Sequence, residues 1–202
     1  FRELASKLII VAVELESGQT VRFGTSGHDA VPISRAIEAS AALPGLYPPV
    51  QIDGKHYVDG ALRHTVHASV ALDSGADLVL AINPLVPINT VHAKSQGKAS
   101  SPNVVDGGLP AVLSQMFRTL LESRMQTSIP RYERTYPDSD LMLLQPDADD
   151  TDMFFTNVFS FSHRKRLAEH AYQSTLRDLR MHRKTLKPLL ARHGISLRDK
   201  VL

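Results

Sequence analysis

Short apolar runs broken by turn residues dominate the first third of the chain. Leu8-Ile9-Ile10-Val11-Ala12-Val13 is rich in Val, Ile and Leu, and with the shorter run Val21-Arg22-Phe23 it flanks Glu16-Ser17-Gly18-Gln19. That pattern predicts a hairpin over 7–14 and 19–23. Ile33 to Ala42 reads as a helix that stops at Pro44-Gly45 and Pro48-Pro49, because proline lacks the amide that the next turn requires. Gln51-Ile52 and Tyr57-Val58, joined by Asp53-Gly54, predict a second hairpin whose exit is Asp59. Thr65 to Leu72 has helical spacing, with Val66, Val70 and Ala71 on one side and Gly75 as its C-cap. Leu78-Val79-Leu80-Ala81-Ile82 shows no polar alternation, which predicts a parallel strand buried on both faces. This alternation of helix and strand points to an α/β fold, a doubly wound, mostly parallel sheet sandwiched by helices.

The later part is more polar. Asn89 to Gly108 has no periodicity and reads as a long loop. Pro110 to Met125 carries a helical stripe through Leu113, Met116, Phe117, Leu120 and Leu121, which faces the core or else lines a lipid-binding groove. Leu141 to Leu144 is one more strand. Arg164 to Leu190 reads as a long terminal helix with Leu167, Ala171, Leu176, Leu179, Leu186 and Leu190 inward. Nothing along the chain forces a second domain: residues 1–202 read as part of a single domain, with 162–202 a basic helical extension.

Composition places the chain in the ordinary globular class, with 43% hydrophobic and 22% charged residues. There is no cysteine, hence no disulfide framework and no thiolate metal site. No apolar stretch approaches the roughly 20 residues that cross a bilayer. The net charge of +2 conceals an asymmetry: from His163 onward there are 11 Lys and Arg against 3 Asp and Glu, leaving 12 and 18 before it. A basic amphipathic helix attracts anionic headgroups by about 1 kcal/mol per cation near the surface; the plainer reading is a solvated helix face. The stretch has no nucleic-acid-binding motif and little aromatic interleaving, so nucleic acid is not an expected partner. A cytoplasmic or membrane-peripheral setting is favoured.

The candidate chemistry centres on His56-Tyr57-Val58-Asp59-Gly60-Ala61-Leu62. A carboxylate at the end of an apolar strand, followed by two small residues, is poised to face another group rather than water. Upstream lies Ala39-Ser40-Ala41-Ala42-Leu43-Pro44, and downstream Gly75-Ala76-Asp77 precedes the strand at 78–82. Residues 7 to 83, taken in that order, resemble the patatin-like phospholipases, whose second signature is Asp-Gly-Gly or Asp-Gly-Ala at a strand end. The resemblance implies a lipid acyl hydrolase that uses a Ser-Asp dyad, with Asp59 as the general base or orienting group for the serine hydroxyl and no cofactor or metal. It implies a lipid acyl ester as substrate; peripheral membrane contact is an expectation that rests on the basic tail. Neither the Gly-rich oxyanion loop nor the Gly-x-Ser-x-Gly elbow of that family occurs here, and Phe1 nearly opens a strand. The chain therefore reads as a carboxy-terminal portion, inactive and poorly stable alone, whose nucleophilic serine and oxyanion loop lie on a preceding segment. The alternative is a non-catalytic lipid-binding or scaffolding member of the same fold.

Other residues compete for a role. Asp59 itself is open to a simpler reading as a turn aspartate capping a helix near His64 and Thr65. Gly24-Thr25-Ser26-Gly27-His28 approaches the nucleophile elbow but has His28 where the motif needs glycine. Ser40 reads as a local hydrogen-bonding residue at a helix end. His64 and His67 lie three residues apart beyond Asp59, and either completes a Ser-His-Asp triad in principle, although the dyad requires no histidine. Asp106-Gly107-Gly108 repeats the tripeptide without a strand before it, which makes Asp106 an N-cap for the helix near Pro110. Asp147, Asp149, Asp150 and Asp152 crowd one loop, but their spacing fails the calcium-loop template.

Overall fold

The computed structural model describes residues 1–44, 47–64, 66–95, 103–150 and 161–197. The chain divides into two compact units, Phe1–His67 and Ala68–Leu202.

The first unit is a four-stranded sheet covered by one helix. Strands β1 (Ile10–Glu14), β2 (Thr20–Phe23), β3 (Val50–Ile52) and β4 (Lys55–Asp59) lie in the order β2-β1-β4-β3, with helix α1 (Ile33–Ser40) between β2 and β3 in sequence. All three pairings are antiparallel. Both expected hairpins are present. In the second, Ile52 pairs with Lys55 across a two-residue turn, and Asp53 and Gly54 have φ of 50° and 78°. Left-handed φ at both central residues is what a type I′ turn requires, and its twist matches that of the strands it joins.

Helix α1 buries Ala36 and Ala39 against this sheet, and the chain continues through buried Ala42. Three alanines on one side let the helix axis come close, so the larger groups of the strands fill the space between. Phe23 is fully buried and meets Tyr57 edge-on, with ring centroids 5.2 Å apart; Val21, Val31, Val50 and Ile52 complete the cluster.

The second unit contains α2 (Ala68–Leu72), β5 (Leu78–Ile82), α3 (Thr90–Ser95), α4 (Gly108–Thr135), β6 (Asp140–Leu144), α5 (Arg164–Met181) and α6 (Arg183–Arg192). Strands β5 and β6 pair in parallel from Leu78 opposite Asp140 to Ile82 opposite Leu144. Helix α2 packs Ala68 and Leu72 on Val79, joined by Tyr132, Tyr136 and Leu141. None of the described helices is long and apolar enough to cross a membrane.

Several sequence expectations are corrected here. The α/β character holds, but among the described residues only β5–β6 is parallel; the larger sheet is antiparallel because short hairpins join its strands. Strand β5 buries Val79 and Ala81 but leaves Leu80 and Ile82 54% and 71% exposed, so it is covered on one face rather than two. Thr90–Ser95 is helical within the stretch read as a loop, and 96–102 lie outside the described residues. Helix α4 starts earlier and ends later than its stripe suggested. Its buried residues are Arg118, Leu121 and Met125, while Leu113, Met116 and Leu120 are exposed. Arg118 tolerates burial because its guanidinium donates to the Val86 carbonyl at 3.2 Å.

The terminal helix is interrupted at His182, giving α5 and α6. Its apolar residues are partly buried as expected, Leu190 fully. Beyond α6, His193 Nε2 lies 2.6 Å from Asp140 Oδ2, and Arg192 donates to Oδ1 of the same carboxylate at 2.8 Å. Part of the basic character at this end is thus used within the unit.

Gly54 has nothing within 4 Å of the position where a Cβ would stand, so replacing it tests backbone conformation alone. Gly54→Ala is expected to lower stability by about 1 kcal/mol through its left-handed φ, read as a shift in the urea midpoint at unchanged slope.

Candidate active site

Asp59 ends β4, where it sits opposite Ala12 of β1, and its main-chain N–H donates to the Ala42 carbonyl at 3.1 Å. The strand end is thereby tied both to the neighbouring strand and to the residue just past α1. The chain then turns through a 3₁₀ segment, Gly60–Leu62, and Asp59 Oδ1 accepts the Ala61 N–H at 2.7 Å. The capping reading is right about this hydrogen bond, but the turn capped is Gly60–Leu62 rather than a helix near His64.

A capping aspartate normally keeps one side of its carboxylate in water and titrates low. At Asp59 burial pushes the carboxyl above its ordinary 3.8, outweighing the opposite pull of the Ala61 N–H. The consequence is a stronger base than an aspartate in water, which is the direction that proton abstraction from a hydroxyl requires.

Gly60 makes this burial possible. A Cβ at residue 60 would stand 2.6 Å from the Val11 carbonyl oxygen and 3.3 Å from His67 Nε2. The first of these neighbours is backbone within β1 and cannot withdraw without disturbing the sheet. Only glycine lets the turn press this closely onto β1.

His67 closes the other side. Its Nε2 lies 2.9 Å from the Gly60 carbonyl oxygen, and because a carbonyl only accepts, that nitrogen carries the proton. The ring of His64 meets it edge-on at 5.7 Å. Burial pushes the His67 imidazole below its ordinary 6.5, and the nearby His64 and Arg22 act in the same direction. The expected helix from Thr65 begins only at Ala68, because Val66 and His67 have φ of 67° and 47°. His67 therefore binds a peptide carbonyl, not the Asp59 carboxylate, and does not form the triad that its position in the sequence allows.

The remaining candidates separate from Asp59. Ala12 pairs with both Val21 and Asp59, so β2 lies two strand spacings from the carboxylate, about 10 Å. Ser26 is exposed beyond the end of β2 and is not brought to Asp59. Ser40 is the half-buried last residue of α1. Asp106 does not cap α4, whose N-cap is Gly107; its Oδ2 instead accepts the Asn103 N–H at 2.8 Å in the preceding 3₁₀ turn.

In the acidic loop, Asp150 Oδ2 lies 2.7 Å from His170 Nε2, and Asp152 is outside the described residues. No group of three or more side chains suited to hold a metal occurs among the described residues. Asp150, Ser174 and Asp178 line a cleft of about 160 Å³ with buried Asn83. The sequence pattern gave no sign of this cleft, since its walls come from three separated segments.

Residues 1–72 match the family model described as patatin-like phospholipase. The matched segment contains β1 to β4, α1, Asp59 and its turn, and His67. The resemblance carried by Asp59-Gly60-Ala61 and the Ala39–Pro44 run is therefore shown for this part of the chain.

Two outcomes test the geometry. Gly60→Ala is expected to cost about 1–3 kcal/mol, because its methyl overlaps the Val11 carbonyl; denaturant unfolding measures it. Asp59→Asn retains an acceptor for the Ala61 N–H and removes a desolvated charge. Because burial raises the native value, the aspartate's contribution to stability is complete below 3.8 and is lost as pH rises through that native value. The asparagine variant should match the parent protein in acid and gain on it toward neutral pH, as read from unfolding midpoints across pH 3–7.

Proposed function

We propose that this chain supplies the acidic half of a Ser-Asp dyad in a lipid acyl hydrolase of the patatin-like kind, with Asp59 as the base. The observation that carries this reading is the desolvated carboxyl of Asp59, held by one backbone N–H at Oδ1 in a turn too tight for any residue but glycine at position 60. The match of residues 1–72 to the patatin-like phospholipase family supports the reaction class.

With Oδ1 engaged by Ala61, Oδ2 is the oxygen that takes the proton from a serine hydroxyl. A serine is a weak nucleophile at its free pKa and needs such a base within hydrogen-bond reach. The serine oxygen then attacks the ester carbonyl, and an oxyanion loop holds the tetrahedral intermediate. Asp59 returns the proton to the departing alcohol as the ester bond breaks, leaving an acyl-serine. Water activated by the same carboxylate releases the fatty acid. No step requires a metal or a cofactor. The serine and the oxyanion loop belong, on this reading, to a segment preceding these residues, and this chain alone is inactive.

Residues 1–202 are then the later portion of one patatin-like domain, with 162–202 a basic helical extension that contacts the membrane peripherally. The exposed Leu80 and Ile82 support a sheet continued by other parts of the protein, in which β5–β6 is the parallel part of a doubly wound arrangement. The substrate is an acyl ester of a lipid, a phospholipid by the family match.

The test uses the full-length protein that carries these residues. Asp59→Asn should reduce kcat for a phospholipid or p-nitrophenyl acyl ester by about 10²–10⁴-fold with KM little changed, and should suppress labelling by a fluorophosphonate probe. Undiminished turnover in the variant overturns the assignment.

A further inference from the structure

The peptide group between Gly60 and Ala61 is held at both ends. Its N–H donates to Asp59 Oδ1 at 2.7 Å, and its carbonyl oxygen accepts from His67 Nε2 at 2.9 Å and from the Arg63 N–H at 3.1 Å. A carbonyl that accepts a hydrogen bond polarises its own amide, and the N–H at the far end becomes the better donor. The continuous path is Nε2–H to O=C–N–H to carboxylate.

The imidazole reaches this carbonyl through an unusual backbone. Val66 and His67 take φ of 67° and 47°, a conformation that side-chain-bearing residues rarely adopt and β-branched valine least of all. Such strain persists where the surroundings hold it, and it collects at functional sites. The two residues lie outside any regular element, immediately before α2, so helix formation does not require the distortion.

We infer that His67 is a positioning residue for Asp59: through the Gly60–Ala61 peptide it sets the direction and the strength of the hydrogen bond that holds the carboxylate. The inference rests on the reading of Asp59 as the catalytic base for its consequence in turnover, but the coupling itself is a property of the turn. His67 acts at one remove and touches neither the carboxylate nor a substrate.

A pH dependence follows. The charged and titratable groups facing His67 are Arg22 on β2, His64 beside it, and Asp59 at the far end of the peptide. Protonation at Nδ1 leaves the Nε2–H in place and makes it a stronger donor. The Ala61 N–H then holds the carboxylate more tightly, so Asp59 becomes a weaker base as His67 charges. By reciprocity, ionised Asp59 favours the charged imidazole. Since burial holds His67 below 6.5, the base is strongest from neutral pH upward.

The experiment follows the Asp59 carboxyl carbon and the Ala61 amide proton by NMR through a pH titration of the protein, His67→Gln and His67→Ala. In the parent protein the Ala61 amide should move with the His67 titration. In His67→Ala the Asp59 midpoint should rise by about half a pH unit and the Ala61 amide should shift upfield. His67→Gln, which presents an N–H at a comparable reach, should restore the Asp59 midpoint and abolish the step that tracks His67.

In the full-length protein, His67→Ala should reduce kcat about 10–100-fold with KM unchanged, because the lost direction of the carboxylate outweighs its slightly higher basicity, and His67→Gln should recover most of it. An Asp59 midpoint indifferent to His67→Ala, or glutamine behaving as alanine does, overturns the inference. Should His67→Ala not fold, an Ala61 amide in the parent protein that ignores the His67 titration does the same. These readouts do not require hydrolysis. They therefore separate failure of the coupling from failure of the dyad, which Asp59→Asn tests alone.

Discussion

The approach of the Gly60 turn to the Val11 carbonyl is the contact on which the rest of the site depends. At 2.6 Å from a would-be Cβ it admits no side chain, and it brings the end of β4, with Asp59, onto β1. That closeness removes water from one side of the carboxyl and raises its proton affinity. A looser turn would leave the same residue as an ordinary solvated cap. Basicity at Asp59 is thus a consequence of packing rather than of any charged neighbour, since burial is its leading cause and the one hydrogen bond acts against it.

The surrounding sheet exists to hold that turn still. Helix α1 lies close to the sheet because alanines line its inner face, and the Asp59 N–H is fastened to Ala42 just beyond it. Phe23 on β2 and Tyr57 on β4 meet edge to face across the intervening β1 and fill the space that the alanines leave. The same economy of space makes substitution at Gly60 costly and substitution at Gly54 mild, although both glycines follow an aspartate in or beside β4. One is pressed against backbone and the other faces open space.

The second unit shows where linear pattern misleads. Leucines at helical spacing in α4 identify a face but not its neighbour: Leu113, Met116 and Leu120 point outward, while Arg118, Leu121 and Met125 are covered. An arginine in the core is unreadable from sequence because its burial depends on a carbonyl, that of Val86, 32 residues away. Strand β5 was legible as a parallel strand for a sound reason, its unbroken apolar run. The inference that both faces are covered failed because Leu80 and Ile82 meet nothing in the described residues that hides them.

By itself the sequence determined the local elements whose information is local: both hairpins, through Gly18 and the Asp53-Gly54 pair, the helix from Ile33, and the singling out of Asp59 by two small residues after an apolar strand. Each follows from backbone preferences spanning a few neighbours. Tertiary structure alone decided that the carboxyl is partly buried and that a histidine eight residues on binds the back of the peptide that holds it. It also decided that two residues of a segment spelled as helix, Val66 and His67, are left-handed. Burial and hydrogen bonding between separated segments are set by which surfaces meet, and no spacing along the chain encodes that meeting.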